Sequence, residues 1–359
     1  MDSSIKSPSK AGERRFLITG GAGFFGGVLK RALLEAGQSC VSIDLQPDAD
    51  SHPQLTSIQG DLRDSTLVEQ TFSAHRFKGV FHCAAILAHG SHVDEDLLWS
   101  SNVDATQILA EACRRHGVRK LIFTSTNCLW AENLHRAIAE DEPPHPAEVY
   151  GRSKLEGEKV LAKYAGDLDV IVLRCPTIID TGRLGLLAIL FEFIQDNKRV
   201  WVVGSGENRY QFIYAGDLVK ACVLAAESGC GSQLLHIGSD NVQSLRQVYQ
   251  HVIDAAGSKS RIASLPKGPT ITAMKLAHKL KISPLGPYHY KMIAEDFLFD
   301  TSRIKNTLGW APTLTNEQML ERAYAYYAQN RSEISQRRTV SAHRKPTPMG
   351  VIRVLKWIS

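Results

Sequence analysis

The stretch Phe16-Leu17-Ile18-Thr19-Gly20-Gly21-Ala22-Gly23-Phe24-Phe25-Gly26 decides the fold. A short apolar run ends in glycines, and a helical pattern follows through Val28, Leu29, Ala32, Leu33 and Leu34. Strand, tight turn, helix is the order in which a dinucleotide-binding unit begins. Gly20 permits the turn, Gly23 lets backbone approach a pyrophosphate, and Gly26 lets the helix pack close to the strand. The helix N-terminus then faces the phosphates. The spacing is G-x-x-G-x-x-G, not the commoner G-x-G-x-x-G, and glycines alone often only make turns. The flanking strand and helix give the pattern its weight. So does Asp44, which ends the next strand. A carboxylate there accepts hydrogen bonds from an adenosine ribose and repels a 2′-phosphate, favouring NAD over NADP. Its alternative is to cap the following loop. Asp61, with Leu62 beside it, either holds the adenine edge or serves its own turn.

Outward from this unit, strands read at Ser39–Asp44, Thr56–Gly60, Gly79–Ala85, Lys120–Thr126 and Asp169–Arg174. Helical patterns around Thr66–Phe72, Asn102–His116 and Tyr150–Ala165 separate most of them. Apolar strands alternating with helices predict an α/β protein, a Rossmann-type doubly wound parallel sheet. After Arg174 the texture becomes mixed, with Trp201–Val203 and Leu234–Ile237 as short strands, which predicts a smaller C-terminal α/β substrate lobe. Gly309-Trp310-Ala311-Pro312 reads as a turn before a last helix, Asn316–Tyr327. The expected organisation is a loose leader over 1–14 and a cofactor domain over 15–178, with segments around 211–238 returning to it. A lobe mainly over 179–330 and a basic tail over 331–359 follow.

Composition narrows the class. Hydrophobic residues at 43% and charged residues at 22% exclude a mostly disordered chain. No stretch approaches the roughly 20 apolar residues of a spanning helix, and Met1–Arg15 lacks the apolar core of a signal peptide. The seven cysteines are scattered, odd in number and without a C-x-x-C pair, which argues against a disulfide framework or zinc site and for a reducing cytoplasm. Residues 331–359 carry +6 of the net +5, leaving −1 elsewhere, so the charge points to no nucleic-acid groove. His82, His89 and His92 lack metal-ligand grouping and read as structural or substrate-facing; no metal is assigned.

The second informative element is Tyr150-Gly151-Arg152-Ser153-Lys154. Residues at i and i+4 share a helix face, so the Tyr150 hydroxyl and the Lys154 ammonium can address one small volume. A nearby cation lowers a phenol's pKa and makes Tyr150 usable as a general acid or base. Alone, Y-x-x-x-K is common on amphipathic helices. Here it follows a dinucleotide turn and the hydroxyl-rich strand end Phe123-Thr124-Ser125-Thr126-Asn127, where ligands bind in such sheets. A hydroxyl there either orients a substrate oxygen or caps the strand.

Taken together, these residues resemble the extended short-chain dehydrogenase/reductases, a family that includes nucleotide-sugar epimerases and dehydratases. The resemblance runs from about Arg15 to Gln329. It implies cofactor contacts from Gly20, Gly23, Phe24, Phe25 and Gly26 of the glycine turn, from Asp44, Asp61 and Leu62, and from Ala84 and Ala85 of the Phe81–Ala85 segment. Asn102 matches the family's helix asparagine, which supports the active-site lysine, and Tyr150 and Lys154 match the catalytic pair. Aligning Thr124-Ser125-Thr126 with the family's S-S-S or T-S-S puts the catalytic hydroxyl on Thr126, with Ser125 as fallback and Asn127 beside it toward substrate. By this resemblance Tyr150 moves the hydroxyl proton during hydride transfer with NAD. Lys154 binds the nicotinamide ribose, and Thr126 orients the substrate oxygen. The resemblance also implies a homodimer paired through helices Asn102–His116 and Tyr150–Ala165.

The sequence departs from the sugar-nucleotide members at two places. They usually follow the sixth-strand arginine with an asparagine that touches the substrate's phosphates; Leu173-Arg174-Cys175-Pro176-Thr177 has Thr177 there. They usually carry an arginine seven residues before the aspartate of the F-I-Y-x-x-D segment; that position is Tyr210, with Arg209 one residue earlier. Arg209 can still reach a diphosphate, since arginine forms bidentate phosphate contacts. Both changes also resemble the steroid-dehydrogenase-like branch, whose substrate carries no diphosphate. Two amphipathic stretches lean the same way. Ile271, Met274, Ala277, Leu280 and Ile282 recur at helical spacing beside Lys275, His278, Lys279 and Lys281. In the tail, Val351, Ile352, Val354, Leu355 and Ile358 oppose Arg353 and Lys356. Each either packs on the protein or lies on an anionic membrane, which would place the protein peripherally at the inner membrane surface.

The leading expectation is an NAD-dependent epimerase or dehydratase on a nucleotide-linked sugar. The alternative is a 3β-hydroxysteroid-dehydrogenase-like oxidoreductase on a sterol or other lipid alcohol. A non-catalytic NAD-binding protein is the third reading, and the retained set Thr126, Tyr150 and Lys154 argues against it.

Overall fold

The computed structural model describes residues 14–87, 94–130, 136–183, 185–280, 287–336 and 356. His89, His92, Ile282, most of the leader and all of the tail from 337 except Lys356 lie outside them. The chain opens with β1 (Arg15–Thr19), α1 (Phe24–Glu35), β2 (Cys40–Asp44), β3 (Leu55–Gln59), α2 (Ser65–Ala74) and β4 (Phe77–His82). Then come α3 (Glu95–Trp99), α4 (Ala105–Arg115), β5 (Lys120–Thr126), α5 (Val149–Ala162) and β6 (Asp169–Cys175). A π-helical turn, Ser100–Asp104, joins α3 to α4. The apolar runs of β1, β2, β4, β5 and β6 are buried because helices cover both sheet faces, whereas β3 at the sheet edge is only partly covered.

The second half holds β7 (Thr177–Ile179), α6 (Leu187–Gln195), β8 (Val200–Val203), β9 (Phe212–Tyr214), α7 (Ala215–Glu227) and β10 (Gln233–His236). It ends with α8 (Leu245–Ala255), β11 (Ile262–Leu265), α9 (Lys267–Lys279), α10 (Pro287–Ala294), α11 (Ser302–Leu308) and α12 (Asn316–Gln336), the last kinked at Asn330.

Seven strands form one sheet in the order β10-β6-β5-β4-β1-β2-β3, with every neighbouring pair parallel. The strand order reverses between β1 and β4, so the crevice at their carboxyl ends is where such a sheet binds ligands. The glycine turn leaves β1 at that point. The expected Gly79–Ala85 strand ends at His82, so Cys83 to Ala85 run off the sheet edge as loop.

The lobe is built around Phe191, Val248, Val252, Leu320 and Tyr327, with small β7–β9 and β8–β11 pairs. Within 211–238, β10 completes the main sheet and α7 packs beside α1; farther on, Ile304 and Trp310 sit in the core under the glycine turn. Trp310 is placed there by a hydrogen bond from its Nε1 to the Asp217 carbonyl, 2.9 Å, just after Gly309 ends α11 in the left-handed region. Lys356, the one described residue beyond 336, pairs with Glu192 (2.9 Å) and Asp196 (2.6 Å) at the end of α6, which places that residue on the lobe.

Candidate active site

Gly20 has φ +74°, and a Cβ on it would lie 2.8 Å from the Ala84 backbone, so the turn and the loop leaving β4 can approach only because this residue is glycine. A Cβ on Gly26 would overlap the Gly20 carbonyl oxygen, which closes the turn against the first turn of α1. Gly23 caps α1 without a side chain, and no acidic residue occupies its first turn. An uncapped helix end of this kind suits an anion. Phe24, Phe25 and Leu62 are buried in the surrounding core.

Asp44 caps the loop that follows it and also braces the glycine turn. Its Oδ2 accepts from Ala22 N–H of the glycine turn at 3.0 Å, and its Oδ1 accepts from Gln46 N–H at 2.9 Å. Carboxylate oxygens accept more than one bond each, so acceptor sites remain for ribose hydroxyls. Asp61 accepts from Arg63 N–H (2.9 Å) and from the Arg63 guanidinium, which holds its carboxyl below the usual range. The turn role is thus filled by Arg63. Lys30 was not singled out in the sequence. Fully buried in α1, its ammonium donates to the Gly21 carbonyl (3.1 Å) and pairs with Asp48 and Asp50 of the loop after β2. It ties the phosphate turn to the adenosine-side loop.

A second network fixes the loop after β4. Thr106 donates to the Asn102 carbonyl at 2.8 Å, so its oxygen accepts from His82 Nε2–H at 2.9 Å. His82 Nδ1 then accepts from Thr19 O–H at 2.7 Å, and Thr19 accepts from Ala84 N–H at 3.3 Å. Burial, with Lys154 nearby, pushes the His82 imidazole down to about 3, so it stays neutral and serves as a strut. Asn102 pairs with both backbone groups of Ile86 (2.8 and 3.0 Å) and donates to Ser153 Oγ at 3.0 Å. It therefore supports α5 through Ser153, one residue before the lysine.

Gly151 brings the chemistry together. A Cβ there would overlap the Cys128 carbonyl, so the start of α5 presses on the single 3-10 turn Asn127–Leu129 that follows β5. Thr126 caps that turn by accepting from Cys128 N–H at 3.1 Å. This leaves its O–H to donate. Ser125, as buried as Thr126, donates to Glu158 Oε1 at 2.5 Å inside the fold. Tyr150 is half-buried in the first turn of α5, and Lys154 one turn on is 2% exposed with its ammonium 3.8 Å over the Phe123 ring. A desolvated ammonium one helical turn from a phenol is the arrangement that general acid–base work at a secondary alcohol needs.

Burial pushes the Lys154 ammonium down from 10.5 to about 8, against the opposing pull of Glu158. The unfolded chain then binds more protons than the folded one between pH 8 and 10.5. Stability therefore rises with pH across that window, and the buried charge weakens the fold below it. Lys154→Met is expected to stabilise the cofactor-free protein at pH 7 by about 1–3 kcal/mol, the gain vanishing above the window. Urea unfolding at the two pH values checks this; an equal difference at both would refute it.

The residues expected to face substrate are placed as follows. Tyr210, 1% exposed, takes a hydrogen bond on its hydroxyl from Asn127 Nδ2 (2.6 Å) and lies 3.4 Å from Thr177 Oγ1. Arg209 is half-exposed beside Asp296, 3.9 Å away. Asn127, Thr177 and Tyr210 thus come together, whereas Arg209 stands apart on the surface.

Glycine turn, strand-end Asp44 and Tyr-Lys helix on one parallel sheet fit a nicotinamide-dependent enzyme of the extended short-chain dehydrogenase/reductase type. Residues 16–238 match the NAD dependent epimerase/dehydratase family, and the chain belongs to that family. It is 36% identical over 343 residues to the uncharacterized protein y4nG of Sinorhizobium fredii, covering 95% of this chain and 85% of that one. It is 27% identical over 337 residues to UDP-glucose 4-epimerase of Corynebacterium glutamicum, covering 87% and 95%. Identity is 26% over 349 residues, covering 86% and 79%, with the 3beta-hydroxysteroid-dehydrogenase/decarboxylase isoform 1 of Arabidopsis thaliana. Among solved structures, Bordetella bronchiseptica WbmG in complex with NAD superposes with a TM-score of 0.73 at 20% identity, over 89% of this chain and 96% of that one.

Proposed function

We propose that the protein is an NAD-dependent epimerase or dehydratase acting on a nucleotide-linked sugar at a secondary alcohol. The observation that carries it is the placement of Tyr150 and Lys154 on a helix pressed by Gly151 onto the turn capped by Thr126. The glycine turn, Asp44 and Lys154 would hold NAD, which when bound supplies hydride acceptance and return. Thr126 donates to the substrate oxygen and orients it. Tyr150 takes the hydroxyl proton and later gives one back. Lys154 keeps the phenol acidic and addresses ribose hydroxyls. Relatives that are nucleotide-sugar enzymes over nearly their whole length support the substrate class.

A second reading, oxidation of a lipid alcohol without a diphosphate, is favoured by the neutral group Asn127, Thr177 and Tyr210 and by the similarity to the steroid dehydrogenase relative. Cofactor content separates the two. An enzyme that returns its hydride has no need to release NAD, so denaturing the dialysed protein is expected to free close to one NAD per chain. UDP- and dTDP-hexoses are then expected to turn over without net NADH. Protein that loses NAD on dialysis and accumulates NADH with sterols would overturn the first reading in favour of the second.

A further inference from the structure

Charge is segregated along this chain. Of the net +5, residues 331–359 contribute +6 and residues 266–294 contribute +5, leaving −6 over the rest. The segment 266–294 holds five lysines and no Asp or Glu. Its first half is α9, which buries none of its residues fully.

The helix has two apolar sides. Thr270, Ile271, Met274 and Ala277 are half-buried, so most of the stripe legible in the sequence does face the protein. Leu280 does not. With Pro269, Ala273 and Leu276 it follows the i, i+4, i+7, i+11 rule and forms a second stripe, all of it exposed. Leu276 and Leu280 are 58% and 59% exposed. Among the described residues only Leu45 and Trp99 are comparable large apolar side chains, so half of that set sits one helical turn apart here. Helical geometry places Lys275 and Lys279 along one flank of the outer stripe. On the inner side α10 braces the helix, with Tyr290 donating to the Met274 carbonyl at 3.2 Å and His278 edge-on to the Tyr290 ring.

We propose that α9 is a docking helix for an anionic lipid surface. It lies flat on the bilayer, with Leu276 and Leu280 at the acyl boundary and Lys275 and Lys279 among lipid phosphates. A narrow apolar stripe on the exposed side of a helix, flanked by lysines and without a single carboxylate in its segment, complements a planar anionic surface. Among the described residues no helix is long and apolar enough to cross a membrane, so the contact is peripheral. The inference stands apart from the choice of substrate.

Purified full-length protein sedimented with phosphatidylcholine vesicles, with and without phosphatidylglycerol, tests it. Binding is expected only to the anionic vesicles and is expected to weaken in high salt. It should drop about tenfold or more in both Leu276→Ser/Leu280→Ser and Lys275→Glu/Lys279→Glu, with NAD content unaltered. No binding to anionic vesicles would overturn the proposal. Undiminished binding by both variants would also overturn it, because the contact would then lie elsewhere, as in the tail. A lower oligomeric mass of Leu276→Ser/Leu280→Ser in light scattering would overturn it too, assigning the stripe to contacts between copies.

Discussion

Tyr150→Phe is expected to lower turnover about 10³-fold while NAD content and thermal stability stay at wild-type levels. A positioned general acid–base group contributes about 10²–10⁴ in rate, and a 10³-fold loss corresponds to about 4 kcal/mol of transition-state stabilisation. The substitution removes one oxygen from a half-buried ring in the first turn of α5. Three supports of this turn rest on backbone and neighbouring side chains: Ser153 donates to the Tyr150 carbonyl at 2.8 Å, Asn102 holds Ser153, and Gly151 seats the helix on the Cys128 carbonyl. Backbone geometry therefore survives, and the loss should fall on kcat rather than on cofactor binding. Thr126→Val in parallel separates proton transfer from orientation. Unchanged turnover in Tyr150→Phe would end the proposed mechanism, whatever the substrate.

What the sequence made legible was whatever depends on local spacing. The glycine turn, Asp44 and the Tyr-x-x-x-Lys helix each act within one or two elements, and they stand where their spacing put them. The expected Lys120–Thr126 strand is β5 to the residue. Contacts made across the fold left weaker traces. The helix expected from Asn102 instead begins at Glu95 behind an Asp94 cap, and Asn102 lies in a π-helical turn. The acidic run Asp94-Glu95-Asp96 was the available signal, since carboxylates favour a helix start. Lys30 carried no signal in the sequence, because its partners Asp48 and Asp50 lie beyond a strand. The bond from Ser125 to Glu158 joins residues 33 apart and left no trace in the spacing. Strands β7, β9 and β11 are three or four residues long, too short for alternation to show.

Glu158 leads to the largest expected effect on stability. Its carboxylate and the Arg174 guanidinium are both about 5% exposed, at 6% and 4%. They meet through Arg174 Nε (3.1 and 3.2 Å) and through a second guanidinium nitrogen at 2.7 Å. Arg174 also donates to His236 Nε2 at 3.5 Å and stacks 5.1 Å over Trp130. Because His236 Nδ1–H is used on the Ile138 carbonyl at 2.9 Å, its other nitrogen is free of a proton and can accept. Arg174→Met strips the buried Glu158 carboxylate of its guanidinium, leaving the Ser125 hydroxyl bond and the more distant Lys154 charge. A broken buried pair costs about 3–5 kcal/mol, so urea unfolding should show a loss of that size. Adding Glu158→Gln removes the stranded charge and should recover most of it, since replacing both partners is often close to neutral. Activity should not follow stability back. Glu158 lies one turn beyond Lys154 and opposes the desolvation that lowers its ammonium. Without that carboxylate the lysine loses its proton at lower pH, and the alkaline limb of the pH–rate profile should move downward in the double variant. A double variant with recovered stability and an unmoved limb would reduce the Glu158–Arg174 pair to a strut.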